Sequence, residues 1–205
     1  MSSTGRGERL GGPEDFYQTP AWAVRRLLET WKPAGGLWLE PGAGNGAIIK
    51  AANSVRSDVE WLAVEIREAE EEGLQHVART VVMGDFLDRS LPLPDTSRVS
   101  VVLGNPPFSL AQAFIERSRE LCPVAEIVML LRLNYIGSED RADFMRTNLP
   151  SLRILPNRAS FLPVPGKVGK VDSIEYAWFG WRPDKADAGA FWLLESTPKE
   201  ERRWK

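Results

Sequence analysis

From Leu37 onward, short apolar runs alternate with stretches whose apolar residues recur at helical spacing. Leu37–Glu40, Glu60–Glu65, Thr80–Met83 and Val99–Leu103 read as strands, and Glu126–Leu133 as a longer buried one. Ala47–Val55, the acidic Arg67–Ala78, Ser109–Leu121 and Ser138–Asn148 read as the helices between and after them. Upstream, Ala21–Trp31 has helical spacing, with Thr19 positioned to cap it, Pro20 in its first turn and Lys32-Pro33-Ala34-Gly35-Gly36 ending it. Ser173–Trp181 and Phe191–Leu194 are strand-like, so the C-terminal part reads as β with loops. Regular alternation from Leu37 to Asn148 predicts an α/β fold, a mainly parallel sheet with helices on both faces. Residues 1–14, rich in Gly, Ser and charge, read as a mobile leader before a single domain over 15–205.

In such a sheet, ligands bind beyond the carboxyl ends of the strands, and the chemically informative residues follow the predicted strands. The run Glu40-Pro41-Gly42-Ala43-Gly44-Asn45-Gly46 opens a helix; its glycines permit a tight turn and close backbone approach to a ligand. It lacks the Lys-Ser/Thr of a phosphate-binding Walker loop. Glu65 ends the second strand about twenty residues later, where an acid can accept from both hydroxyls of a ribose. Gly84-Asp85-Phe86 follows the third strand; Asp85 can accept from an adenine amine and Phe86 can stack on the ring. Each has an ordinary alternative: a tight turn, a solvated carboxylate, and a turn cap.

Asn105-Pro106-Pro107-Phe108 follows the fourth strand. Two prolines remove two N–H donors, so the Asn105 side-chain oxygen and the Pro106 carbonyl form two acceptors able to converge on one NH2 group. An amine so held loses conjugation with its ring and becomes more nucleophilic toward a group held in line. Phe108 offers a face for a planar base. The ordinary alternative is a proline-rich turn.

Composition removes other chemistries. Lys plus Arg total 26 against 28 Asp plus Glu, a formal charge of -2, which excludes a wholly basic nucleic-acid coat but not a local basic face. A single cysteine, Cys122, excludes an internal disulfide, and a single histidine, His76, leaves neither a Ser-His-Asp hydrolase nor a multi-histidine metal site. No apolar run approaches the roughly 18 residues of a membrane span, so a soluble cytoplasmic protein is expected.

Together these segments resemble the S-adenosylmethionine-dependent amino-methyltransferases, most closely the small phage-type DNA adenine-N6 methyltransferases. The resemblance rests on FYQTP, EPGAGNG, Val64-Glu65, GDF and NPPF, and on the later LLRLNYIGS, ILPNRASF and DSIEYAWFGW. It implies a Rossmann-like class I methyltransferase fold with an antiparallel C-terminal strand, encoded by a phage, a prophage or a bacterial host. It also implies S-adenosylmethionine as cofactor, no metal, and DNA as partner. Tyr17 and Thr19 would then contact the amino-acid end of the cofactor, with Glu40, Pro41, Gly42 and Gly44. Glu65 and Ile66 would hold the ribose and Asp85 and Phe86 the adenine, with Asn105 between cofactor and target. Asn105, Pro106, Pro107 and Phe108 would be catalytic, acting on a flipped or single-stranded adenine.

Residues 144–171 contain Arg146, Arg153, Arg158, Lys167 and Lys170 and no acid, making this window the candidate phosphate-contacting face. Phe161 is the candidate second face for the base, or a core aromatic. Arg132 and Asn134, at the end of the long strand, are candidate DNA contacts or loop braces. No separate target-recognition domain fits, so short or relaxed specificity is expected; otherwise a homodimer partner or an accessory protein supplies recognition. The alternatives are an RNA or protein-glutamine amino-methyltransferase with the same chemistry, and a non-catalytic cofactor-binding DNA module.

Overall fold

Apolar residues on successive positions of each central strand point to opposite faces, and this alternation builds two cores on one sheet. The computed structural model describes residues 17–159, 162–163 and 174–202. The described elements are β1 (Tyr17–Gln18), α1 (Ala21–Thr30), β2 (Gly36–Pro41), α2 (Ala47–Asn53), β3 (Val59–Glu65), α3 (Glu71–Gln75), β4 (Thr80–Met83) and β5 (Val99–Gly104). There follow α4 (Ala111–Leu121), β6 (Glu126–Arg132), α5 (Ala142–Thr147), β7 (Ser151–Ile154), β8 (Leu162–Pro163), β9 (Tyr176–Trp181) and β10 (Phe191–Leu193). The main sheet has eight strands in the order β10-β7-β9-β6-β5-β2-β3-β4. The strands from β4 through β6 in that order pair in parallel, β9 lies antiparallel between β6 and β7, and β10 adds in parallel to β7.

Trp38, Trp61, Ala63, Val101, Leu103, Val128, Leu130 and Trp178 face the core under α1 and α2. Their strand neighbours Leu39, Leu62, Val64, Val102, Met129, Leu131 and Phe179 face the core under α4 and α5. Large indoles tolerate this burial because each finds an acceptor. The Nε1 of Trp38 donates to Ala34 O at 3.0 Å, that of Trp61 to Asn53 Oδ1 at 2.9 Å, and that of Trp178 to Ala23 O at 3.2 Å. Trp38 sits between Trp31 and Trp61, with ring centroids 5.9 and 5.3 Å away.

Several elements differ from the sequence expectation. The helix expected over Arg67–Ala78 is a 3-10 turn, Glu68–Glu70, followed by the short α3. Glu68 and Glu72 would repel at i,i+4 spacing and Gly73 has poor helix propensity, so the long form is disfavoured. The helix expected from Ser138 is likewise a 3-10 turn, Glu139–Arg141, leading into α5. Thr19 makes no cap bond to α1, whose N-cap is Pro20. Trp192 is 43% exposed on the edge strand β10, with Phe191 at 71%. Cys122 is buried, and burial pushes its thiol up to about 11. Among the described residues no helix is long and apolar enough to cross a membrane.

Trp38→Ala is expected to cost about 3–5 kcal/mol of unfolding free energy, because the space between its two indole neighbours cannot collapse. Phe191→Ala on the exposed edge should cost about 0.5 kcal/mol or less. Urea unfolding curves of the two variants measure the contrast.

A cleft at the carboxyl ends of the parallel strands

The ends of β2, β3, β4 and β5 and the entrance to α1 line one cleft. After β2 the chain turns through Gly42 and Gly44 at φ of 69° and 56°, the left-handed region where a side chain would be strained. The Gly44 N–H donates to Glu65 Oε2 at 2.6 Å, and the Ala43 N–H to Val64 O at 2.9 Å, tying the glycine turn to the end of β3. The other Glu65 oxygen accepts from both the backbone N–H and the Nε of Arg67, each at 2.9 Å. A carboxylate has about four acceptor positions, so three internal donors leave about one for a ligand. Ile66 is exposed at the same rim.

Glu40, 2% exposed and also lining the cleft, carries a buried Oε2 without a hydrogen-bond partner. Burial first, and the neighbouring Glu65 charge second, hold its carboxyl well above the usual carboxylate range, while a hydrogen bond from the Ile49 backbone acts the other way.

At the next strand end, Asp85 spends Oδ1 on the Leu87 N–H at 2.9 Å, so the turn-capping alternative is realised with one of its oxygens. Phe86 is buried, its ring 5.3 Å from Phe114. Phe114 and Leu110, four residues apart at the start of α4, supply an apolar wall to the cleft, with the Phe114 ring packed beside Gly42. Neither was singled out in the sequence, although an apolar pair at i,i+4 directly after the proline turn is a legible signal.

Asn105 reaches the cleft from the end of β5. Its Nδ2 donates to Thr19 Oγ1 at 3.0 Å and toward Tyr17 O at 3.4 Å. Thr19 is thus not the helix cap that its position before Pro20 suggested: its hydroxyl is turned to Asn105. The Pro107 carbonyl accepts from the Leu110 N–H at 2.8 Å, leaving the Pro106 carbonyl as the acceptor to consider beside Asn105. Phe108 is half-buried, with the Arg132 guanidinium 4.8 Å over its ring and Tyr176 5.9 Å away.

The basic candidates are scattered. Arg132 closes β6 and Asn134 follows it, both exposed. Arg146 pairs with Asp143 at 2.6 Å and Arg158 with Glu175 at 3.0 Å, both on the surface. Arg153 corrects the expectation. It is 7% exposed, set between Trp31 and Trp192 and faced by Glu126 and Asp187 at 3.7 and 3.5 Å, so its guanidinium is a buried brace. Phe161, Lys167 and Lys170, like residues 1–14, lie outside the described residues. Among the described residues no group of three or more His, Cys, Asp or Glu side chains could hold a metal ion.

No family model matches the sequence, and no curated protein matches it either. Solved structures match well in fold. A predicted O-methyltransferase, Atu636 of Agrobacterium tumefaciens, has a TM-score of 0.57 at 14% identity over 85% of this chain and 84% of its own. The 23S rRNA methyltransferase ErmE has a TM-score of 0.56 at 19% identity, over 89% and 73%. A dimethyladenosine transferase of Plasmodium falciparum has a TM-score of 0.55 at 14% identity, over 82% and 63%. The fold is that of the Rossmann-like class I methyltransferases.

Because Glu40 holds its proton in the native protein over a range where the unfolded chain has lost it, stability falls as pH rises above about 4.5 and through the raised Glu40 pKa. The slope is at most about 1.4 kcal/mol per pH unit for one proton. Urea midpoints across pH, wild type against Glu40→Gln, measure it; a difference that does not change with pH would contradict the assignment.

Proposed function

We propose that this chain transfers a methyl group from S-adenosylmethionine to the N6 amine of adenine in DNA. The observation carrying this reading is that Asn105 and Pro107 of the proline turn line the same cleft as the glycine turn, with the Asn105 amide nitrogen bonded to Thr19. The residues present fit the cofactor. The unpartnered buried oxygen of Glu40 suits an ammonium, Glu65 retains an acceptor position for a ribose hydroxyl, and Phe86 with its apolar neighbours suits a purine.

When bound, S-adenosylmethionine would supply a methyl group activated on a sulfonium. Tyr17, Thr19, Glu40, Pro41, Gly42 and Gly44 would bind its amino-acid end, Glu65 and Ile66 its ribose, and Asp85 and Phe86 its adenine. Asn105 Oδ1 and the Pro106 carbonyl would accept the two N–H groups of the target amine, drawing its lone pair out of conjugation with the ring. No general base is required, since the methylated amine gives up its proton to water after attack. The target base must leave the duplex stack to reach these groups. Phe108 would then stack on it, and Arg132, which now covers that ring, would yield its position and turn to the DNA backbone. Asn134, Arg146 and Arg158 complete the proposed DNA-contacting set, with Phe161, Lys167 and Lys170 as candidates from sequence alone.

Incubation with labelled S-adenosylmethionine and unmethylated DNA, followed by nucleoside analysis, is expected to yield N6-methyladenine. Asn105→Ala should lower the yield roughly 100-fold or more while cofactor affinity stays within a few-fold. Because an rRNA methyltransferase stands among the fold neighbours, the assay carries an RNA arm; methylated RNA with unmethylated DNA would replace this reading. Replacing Arg132 and Arg158 by Glu should weaken DNA binding and make the slope of log affinity against log salt shallower by about one for each phosphate no longer neutralised.

A further inference from the structure

An asparagine amide has two orientations of almost identical shape, and only one is useful at the end of β5. With Oδ1 outward, Asn105 can accept from a target amine; with Nδ2 outward, it meets that amine donor to donor. The choice is made on the inner side. The Tyr17 carbonyl 3.4 Å from Nδ2 has no proton to give, so it admits the nitrogen and repels the oxygen. At that distance it holds the amide weakly. The closer partner is Thr19 Oγ1 at 3.0 Å, on a residue only 3% exposed.

Thr19 is itself fixed from both sides. Tyr17 and Gln18 pair with Pro163 and Leu162 in a separate two-stranded sheet, and Pro20, with its φ of -62°, leads directly into α1. The hydroxyl can accept from Nδ2 while keeping its own proton to donate.

We propose that Thr19 is a positioning residue for the methyl transfer: beside the Tyr17 carbonyl, which admits only the amide nitrogen, its hydroxyl holds the Asn105 amide in place so that Oδ1 faces the target amine. The proposal rests on the role of Asn105 given above, but the contact is testable without it. In the 15N spectrum of protein labelled at asparagine, the Asn105 side-chain NH2 pair is identified by its loss in Asn105→Ala. Thr19→Val is expected to move that pair and speed its exchange with water, and Thr19→Ser to leave it near its wild-type position. An unmoved pair in Thr19→Val overturns the proposal.

Kinetics give the second readout. Measured at saturating S-adenosylmethionine, Thr19→Val should lower kcat roughly three- to tenfold, the rate equivalent of one neutral hydrogen bond, a loss that added cofactor does not restore. Thr19→Ser should restore most of kcat. An intact kcat at saturating cofactor, with only the cofactor Kd raised, would leave Thr19 a cofactor contact alone and overturn the positioning role. If wild-type protein methylates no DNA, the function reading fails, and the NMR pair still decides whether Thr19 holds the amide.

Discussion

Two carboxylates buried side by side, Glu40 at the end of β2 and Glu65 at the end of β3, set the constraint on which the cleft is built. Like charges at such a position are costly unless donors surround them or a proton neutralises one. The protein uses both solutions. Glu65 is surrounded by the Gly44 and Arg67 backbone N–H groups and the Arg67 guanidinium, and so becomes the knot joining the glycine turn to the next loop. Glu40 lacks such a shell; its carboxyl is pushed toward the neutral form, with one oxygen unsatisfied. The Glu40 oxygen is thus an acceptor that the cleft floor leaves unused.

The opposite side of the cleft follows a different logic. There the catalytic candidate Asn105 is governed by the segment before α1, which is far from it in sequence and is itself clasped by Leu162 and Pro163. The parallel sheet brings the strand ends together, but the closer hydrogen-bond partner of the Asn105 amide comes from outside the sheet. Rigid strands give position, and a short strap gives direction.

The alternation of short apolar strands with helical stretches made the order of the parallel strands' elements legible, and with it the location of the glycine turn, Glu65 and the proline turn at strand ends. Those features are local: each is specified within a few residues. What sequence left out depends on pairings across long separations. Thr19 before a proline looked like a cap because the partner that claims its hydroxyl lies 86 positions away. Arg153 looked like a surface base because nothing near it in sequence announces Trp31, Trp192, Glu126 and Asp187. The Arg67–Ala78 helix failed for a local reason, its clustered like charges and glycine, which periodicity alone does not weigh.

The sheet order also carries a consequence for how the molecule is made. β9, residues 176–181, lies between β6 and β7, strands that both precede it in the chain. During synthesis the inner edge of β6 therefore emerges with no permanent neighbour, and Ile127, Met129, Leu131 and their backbone groups await a strand translated some fifty residues later. At about 5–20 residues per second that interval lasts on the order of several seconds. Throughout it the nascent chain presents an unpaired apolar edge able to engage other chains. Arrival of Trp178 and Phe179 closes the gap and commits both cores at once, so the sheet stays open until β9 has been made.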